Sequence, residues 1–159
     1  MGHRNPQGLL IDKENNFILS TDHGPRGGDE INLTNLDSDE ISNYGWPISS
    51  YGEHYVSTNK KNKKYPLHKS HKNFGFIEPL KYFTPSIAIS EILKIEDNKY
   101  FGTSLSGLIF KFEINNENEI INFVTAKIPQ RIRDASFKNK NEIYIYLESS
   151  GSVGLVSFK

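Results

Sequence analysis

Residues 87–125 read IAISEILKIEDNKYFGTSLSGLIFKFEINNENEIINFVT, and this stretch decides the fold. Four apolar runs, 87–95, 99–103, 107–114 and 119–125, are separated by Glu96-Asp97-Asn98, Ser104-Leu105-Ser106 and the Asn-rich break 115–118. Runs of this length, rich in Ile, Phe, Val and Tyr and bounded by Asn, Asp, Ser and Gly, predict strands joined by tight turns. The unit is a four-strand antiparallel meander.

Working outward, residues 131–158 predict a second meander with three strands, 131–137, 142–147 and 154–158. Upstream, 8–12 and 17–22 are short apolar runs split by Lys13-Glu14-Asn15-Asn16, with a third strand at 30–34. Residues 35–82 are rich in Asn, Ser, Lys, Tyr and Gly and lack periodicity, which predicts a long irregular loop with a solvated tip at 60–64. Long irregular segments within a compact domain are functional or disordered. Nowhere does a helical 3.6-residue period stand out. Four-strand units recurring at about 40–50 residues are the mark of a β-propeller. The expectation is an all-β chain, one partial propeller domain over 1–159 with about three blades. A partial ring leaves open blade faces and unpaired strand edges.

Composition narrows the function. Nineteen basic residues balance nineteen acidic ones, which gives no reason to expect nucleic acid as a partner. No long apolar run supports membrane insertion. Cysteine is absent, which excludes disulfides and thiolate metal ligands. Met1 leads directly into a polar motif, so no signal peptide opens the sequence.

Five polar motifs punctuate the chain: His3-Arg4-Asn5-Pro6-Gln7-Gly8, the run 23–33 (HGPRGGDEINL), Asn43-Tyr44-Gly45-Trp46-Pro47, Pro85-Ser86-Ile87-Ala88 and Gln130-Arg131-Ile132-Arg133-Asp134. Pro6 stiffens its turn, so the Asn5 and Gln7 amides either cap that turn or face an acceptor-rich ligand. Gly24-Pro25 is a plain turn or a source of carbonyl oxygens for a hard cation such as calcium. Asp29 and Glu30 are adjacent on a strand and point to opposite faces, so they do not share one ligand. The plainer alternative there is a solvated Asp29 and a Glu30 paired with Arg26. Trp46, the only tryptophan, reads as a wedge between blades. Arg131 and Arg133 sit two apart at a strand start and face one way, a geometry suited to carboxylates. His54, His68 and His71 read as solvated loop histidines.

In this order the motifs resemble the glucose/sorbosone dehydrogenase family, whose members use pyrroloquinoline quinone (PQQ) and calcium. The resemblance covers nearly the whole chain but only the C-terminal half of such a protein. It implies a six-bladed propeller and oxidation of a sugar hydroxyl to a lactone. It implies that Asn5, Gln7, Arg131 and Arg133 contact PQQ, with Ser86 near a position where a hydroxyl does the same. Gly24 and Pro25 correspond to carbonyl ligands of the catalytic calcium; Glu30 and the Tyr44 carbonyl correspond to ligands of a second, structural calcium. There are departures. Ser106 or a neighbour stands where the soluble glucose dehydrogenase has a cofactor-binding lysine, Phe83 replaces a tryptophan, and His23 replaces that enzyme's glutamine but matches the aldose dehydrogenase form. The family's catalytic histidine lies upstream of the first motif, so no catalytic residue is assigned within this sequence. Further expectations follow from the resemblance: a periplasmic or secreted location, and a ring completed by an N-terminal half or a second copy. A non-catalytic propeller binding module of the same family is the alternative.

Overall fold

The structure, a computed structural model, describes residues 1–56 and 60–158. Three antiparallel sheets follow one another along the chain. The first holds β1 (Pro6–Asp12), β2 (Phe17–Asp22), β3 (Asp29–Asn35) and β4 (Lys81–Phe83) in sequential order. The second holds β5 (Ile89–Glu96), β6 (Lys99–Ser104), β7 (Leu108–Ile114) and β8 (Ile120–Lys127). The third holds β9 (Ile132–Asn139), β10 (Glu142–Leu147) and β11 (Ser152–Ser157). These are the blades of a partial propeller, two with four strands and one with three. No helix among the described residues is long and apolar enough to cross a membrane.

Strand alternation explains how the blades stack. On β6, Tyr100 faces the first sheet and Phe101 faces the third, and both are buried. Tyr100 joins Phe17, Leu19, Ile31, Phe110 and Phe112 in one core. Phe101 joins Ile132, Ala135, Ile143 and Ile145 in the other. The middle sheet is thus apolar on both faces. Each buried aromatic or branched side chain contributes roughly 1.5–3 kcal/mol from water exclusion.

The first strand of each sheet, β1, β5 and β9, lies on the shared inner side. A buried hydrogen-bond chain ties them together. Gly8 N donates to Thr21 Oγ1 (2.8 Å), Thr21 Oγ1 to Ser90 O (2.7 Å), and Ser90 Oγ to Ile132 O (2.8 Å). The contact requires glycine at position 8, because a Cβ there would stand 2.7 Å from the Ser90 carbonyl oxygen. This chain levels the three strand starts, and that levelling positions the site.

The structure corrects several expectations in 35–82. Lys81–Phe83 is a fourth strand of the first sheet, pairing with Asp29–Ile31. A short helix α1 (Lys60–Lys64) and a 3-10 turn (Lys72–Phe74) interrupt the loop. Its order comes largely from one carboxylate. Glu78 accepts from Ser70 Oγ (3.3 Å), His71 N (2.9 Å), Lys72 N (2.8 Å) and Tyr51 OH (2.7 Å). Tyr51 in turn stacks flat on Tyr82 at 3.7 Å. His71 is buried rather than solvated. Trp46 belongs to neither core and packs under the Arg4 guanidinium, so it is not a wedge between blades. Three-residue strands and carboxylate-pinned loops carry too little periodicity to be read from sequence.

Candidate functional site

The candidate site forms at the end of the molecule where β1, β5 and β9 begin. The buried carboxylate of Asp22, at the end of β2, arranges the chain entering β1. It accepts from Arg4 N (2.9 Å) and Asn5 N (2.6 Å) and contacts His3 Nδ1 at 3.3 Å. The Asn5 and Gln7 side chains are both exposed, and Gln7 Nε2 donates to Asn5 Oδ1 (3.1 Å). Both amides therefore stand together on one face, as i, i+2 spacing requires.

A second run of contacts carries this end across the sheets. His23 N donates to Asn5 O (3.1 Å), and the His23 ring reaches Ile89 O (2.5 Å). Ser90, the next residue, bonds Ile132 O. Ile132 is buried, and its neighbours Arg131 and Arg133 point the other way, into solvent. One carboxylate spans the pair: Arg131 Nε donates to Glu148 Oε2 (2.9 Å) and Arg133 Nη2 to Glu148 Oε1 (3.0 Å). The hydrogen bonds from Arg133 and Arg131 lower the Glu148 carboxyl from its ordinary value. Asn5, Gln7, Arg131 and Arg133 thus share one end of the inner strands.

Ser86 also precedes an inner strand at this end, but its hydroxyl is committed. Ser86 Oγ donates to Asp29 Oδ2 (2.6 Å), which also accepts from Ile87 N (2.9 Å) and Ala88 N (2.6 Å). Asp29 Oδ1 accepts from Gly24 N (3.1 Å). One fully buried carboxylate therefore fixes both the 23–28 bend and the 85–89 bend, and it holds Ala88 in the left-handed region at φ 51°. That conformation costs about 1–2 kcal/mol for a residue with a Cβ.

Gly24, Glu30 and Tyr44 border one small cavity of about 10 Å³, together with Asp22, Trp46 and Ser49. That volume admits about one water or one small ion. Pro25 is buried and does not border the cavity. Glu30 and Asp29 do face opposite ways, and Glu30 is not paired with Arg26. Burial, with smaller repulsions from Asp22, Glu78 and Asp29, pushes the Glu30 carboxyl up to about 8 against a hydrogen bond from Asn32 that lowers it. His71 Nε2 lies 3.6 Å from Glu30, too far for a hydrogen bond, and burial pushes the imidazole down. Asn32 Oδ1 and both His71 ring nitrogens are buried without a hydrogen-bond partner. Among the described residues no group of three or more His, Asp or Glu side chains could hold a metal ion. A cation here would rest mainly on carbonyl oxygens and on Glu30, because Asp22, the other carboxylate at the border, is already taken up by the Arg4 and Asn5 amides.

Sequence reasoning missed Asp22, Asp29, His71 and Glu148. Asp22 and Glu148 carry no local signal, His71 reads from sequence as a solvated loop histidine, and Asp29 reads as an alternating neighbour of Glu30 or a solvated carboxylate. Their partners come from segments up to 60 residues away.

With this geometry in place, the sequence model of the family described as Glucose / Sorbosone dehydrogenase matches residues 1–155. The chain belongs to that family. The aldose sugar dehydrogenase YliI of Escherichia coli is 30% identical over 98% of this chain and 42% of its own length. The quinoprotein glucose dehydrogenase B of Acinetobacter calcoaceticus is 47% identical over 30% of this chain and 9% of its own. The crystal structure of the soluble E. coli aldose sugar dehydrogenase in its apo form superposes with a TM-score of 0.74 at 27% identity, covering 97% of this chain and 44% of that one. The chain spans less than half the length of these family members.

Proposed function

We propose that this chain supplies the cofactor-binding portion of a PQQ- and calcium-dependent aldose dehydrogenase. The observation that carries the reading is the Arg131–Arg133 pair, two same-side guanidinium groups at the end of the inner strands that already grip a carboxylate. A tricarboxylic quinone suits that pair, since Arg forks and carboxylates match in geometry and charge. A relative named as a quinoprotein supports the choice of cofactor.

The chain's own residues take distinct roles. Arg131 and Arg133 bind ligand carboxylates. Asn5 and Gln7, standing side by side, donate to and accept from the ligand's ring oxygens and nitrogen. Ser86 holds the 85–89 bend through Asp29 and touches the ligand only with its remaining lone pair. Gly24 and Pro25 offer carbonyl oxygens for the catalytic calcium. Glu30 and the Tyr44 carbonyl would serve a second calcium: they border a cavity the size of one ion, and Asn32 Oδ1, next to Glu30, is a buried oxygen without a hydrogen-bond partner. PQQ, when bound, supplies the two-electron acceptor for oxidation of a sugar hydroxyl to a lactone, with calcium polarising its quinone carbonyl. We assign no histidine of this chain as the base. His3 is held by Asp22 and stacked on Tyr44, and His23 is spent on Ile89. A periplasmic or secreted site of action is part of the same reading.

Calorimetric titration of PQQ into the protein with calcium present tests it. The expected result is saturable binding that weakens about 100-fold or more in the Arg131→Ala/Arg133→Ala double variant. Absence of heat with the unchanged protein overturns the reading.

A further inference from the structure

We propose that Glu148 is a built-in counter-anion that sets how tightly, and with what salt dependence, the Arg131–Arg133 pair takes an anionic ligand. The inference rests on the reading of that pair as a carboxylate site and assigns a role to a residue outside it.

The geometry is that of a clip. Leu147 is the last residue of β10 and pairs with Ile132, so Glu148 stands opposite Arg131 one step beyond the ladder. Its backbone N–H donates to Arg131 O (2.8 Å), which fixes where its side chain starts. One carboxylate oxygen then goes to each arginine, Oε2 to Arg131 Nε and Oε1 to Arg133 Nη2. Each guanidinium has five N–H donors, and these bonds use one apiece. The remaining donors stay available to a ligand without breaking the clip.

A stability role does not account for the arrangement. The three side chains are 50%, 40% and 35% exposed, where ion pairs contribute little. The consequence lies in charge. Two guanidinium groups and one carboxylate leave +1 rather than +2 at the rim. A ligand with several carboxylates meets half the bare charge of the pair, and the forks are already oriented when it arrives.

The test compares the full chain with Glu148→Gln, which keeps shape and one acceptor but removes the charge. Two probes are titrated across a series of salt concentrations: PQQ, and trimesate as a plain tricarboxylate. The expected result is binding about five-fold tighter in Glu148→Gln at low salt, with a steeper loss of affinity as salt rises and convergence at high salt. A residue of merely structural importance would weaken binding in the variant and leave the salt slope unchanged. Equal or weaker binding with an unchanged slope, for both probes, overturns the proposal. If the unchanged protein binds trimesate but not PQQ, and Glu148→Gln still tightens trimesate, the role of Glu148 stands and the PQQ reading falls. Circular dichroism of the variant confirms that the exposed substitution leaves the fold intact.

Discussion

Ser86 and Asp29 are 57 residues apart in the chain, yet the Ser86 hydroxyl donates to Asp29 Oδ2 at 2.6 Å. This bond and its companions from Gly24, Ile87 and Ala88 make Asp29 the common fastener of two bends at the candidate site. A buried carboxylate is tolerable when every lone pair meets a donor, and here N–H and O–H groups surround it. Asp29→Asn turns one acceptor into a donor that faces N–H groups. It is expected to lower unfolding free energy by about 3 kcal/mol, against about 1 kcal/mol for Ser86→Ala. Urea denaturation of both variants checks this, and equal small effects would show that the fastener is elsewhere.

Asp12 governs stability in acid. Its side chain is buried and accepts from Lys94 Nζ (2.8 Å), Tyr100 OH (2.7 Å) and Asn15. Burial alone raises the carboxyl, but these bonds outweigh it and hold it at about 2, below its ordinary 3.8. A depressed carboxyl stabilises the fold fully above its unfolded value. That contribution, about 2 kcal/mol for the shift, is lost as pH falls from near 4 through 2. In Asp12→Asn this part of the acid limb should flatten when melting is followed across that range.

If Glu30 is a calcium ligand as proposed, cation binding and stability are coupled through it. Calcium that binds only the folded chain raises the melting temperature with concentration. The shift is expected in the unchanged protein and should shrink sharply in Glu30→Gln, which keeps the shape but removes the proposed carboxylate ligand while Asp22 stays on the Arg4 and Asn5 amides. An unchanged calcium shift in that variant would remove Glu30 from the ligand set.

Glu78 should control the order of the segment around the 3-10 turn. Glu78→Ala leaves the His71 and Lys72 amides without their acceptor. Hydrogen exchange at those two amides is expected to speed up by at least ten-fold, while amides of β5–β7 keep their protection. Uniform loss of protection would mean that the loop and sheets unfold as one unit.

The outer edge of the third sheet bears on assembly. Among the described residues no strand pairs with the outer side of β11, and Val153 and Leu155 are 66% and 48% exposed. Such edges recruit further strands. Pairing with a second copy predicts concentration-dependent sedimentation of the unchanged protein, suppressed by Leu155→Lys. A monomer at every concentration removes that proposal.

Local chemistry alone determined much of this protein. The apolar runs in 87–125 specify the middle blade, because strands covered by a neighbouring sheet on each face read as apolar runs bounded by turn residues. Likewise, i, i+2 spacing put Arg131 with Arg133 and Asn5 with Gln7, since a strand repeats every two residues. Only the tertiary structure decided what those side chains meet. Asp29 with Ser86, Ser90 with Ile132 and Glu30 near His71 are pairings made by stacking sheets and by a loop folding back. A three-residue strand such as Lys81–Phe83 is stabilised by its partner β3 rather than by its own pattern, so nothing within it announces the pairing. Hydrophobic period is a property of the segment itself. The partner of a buried polar group is a property of the whole fold, which brings donors from distant segments to a carboxylate that cannot stay buried without them.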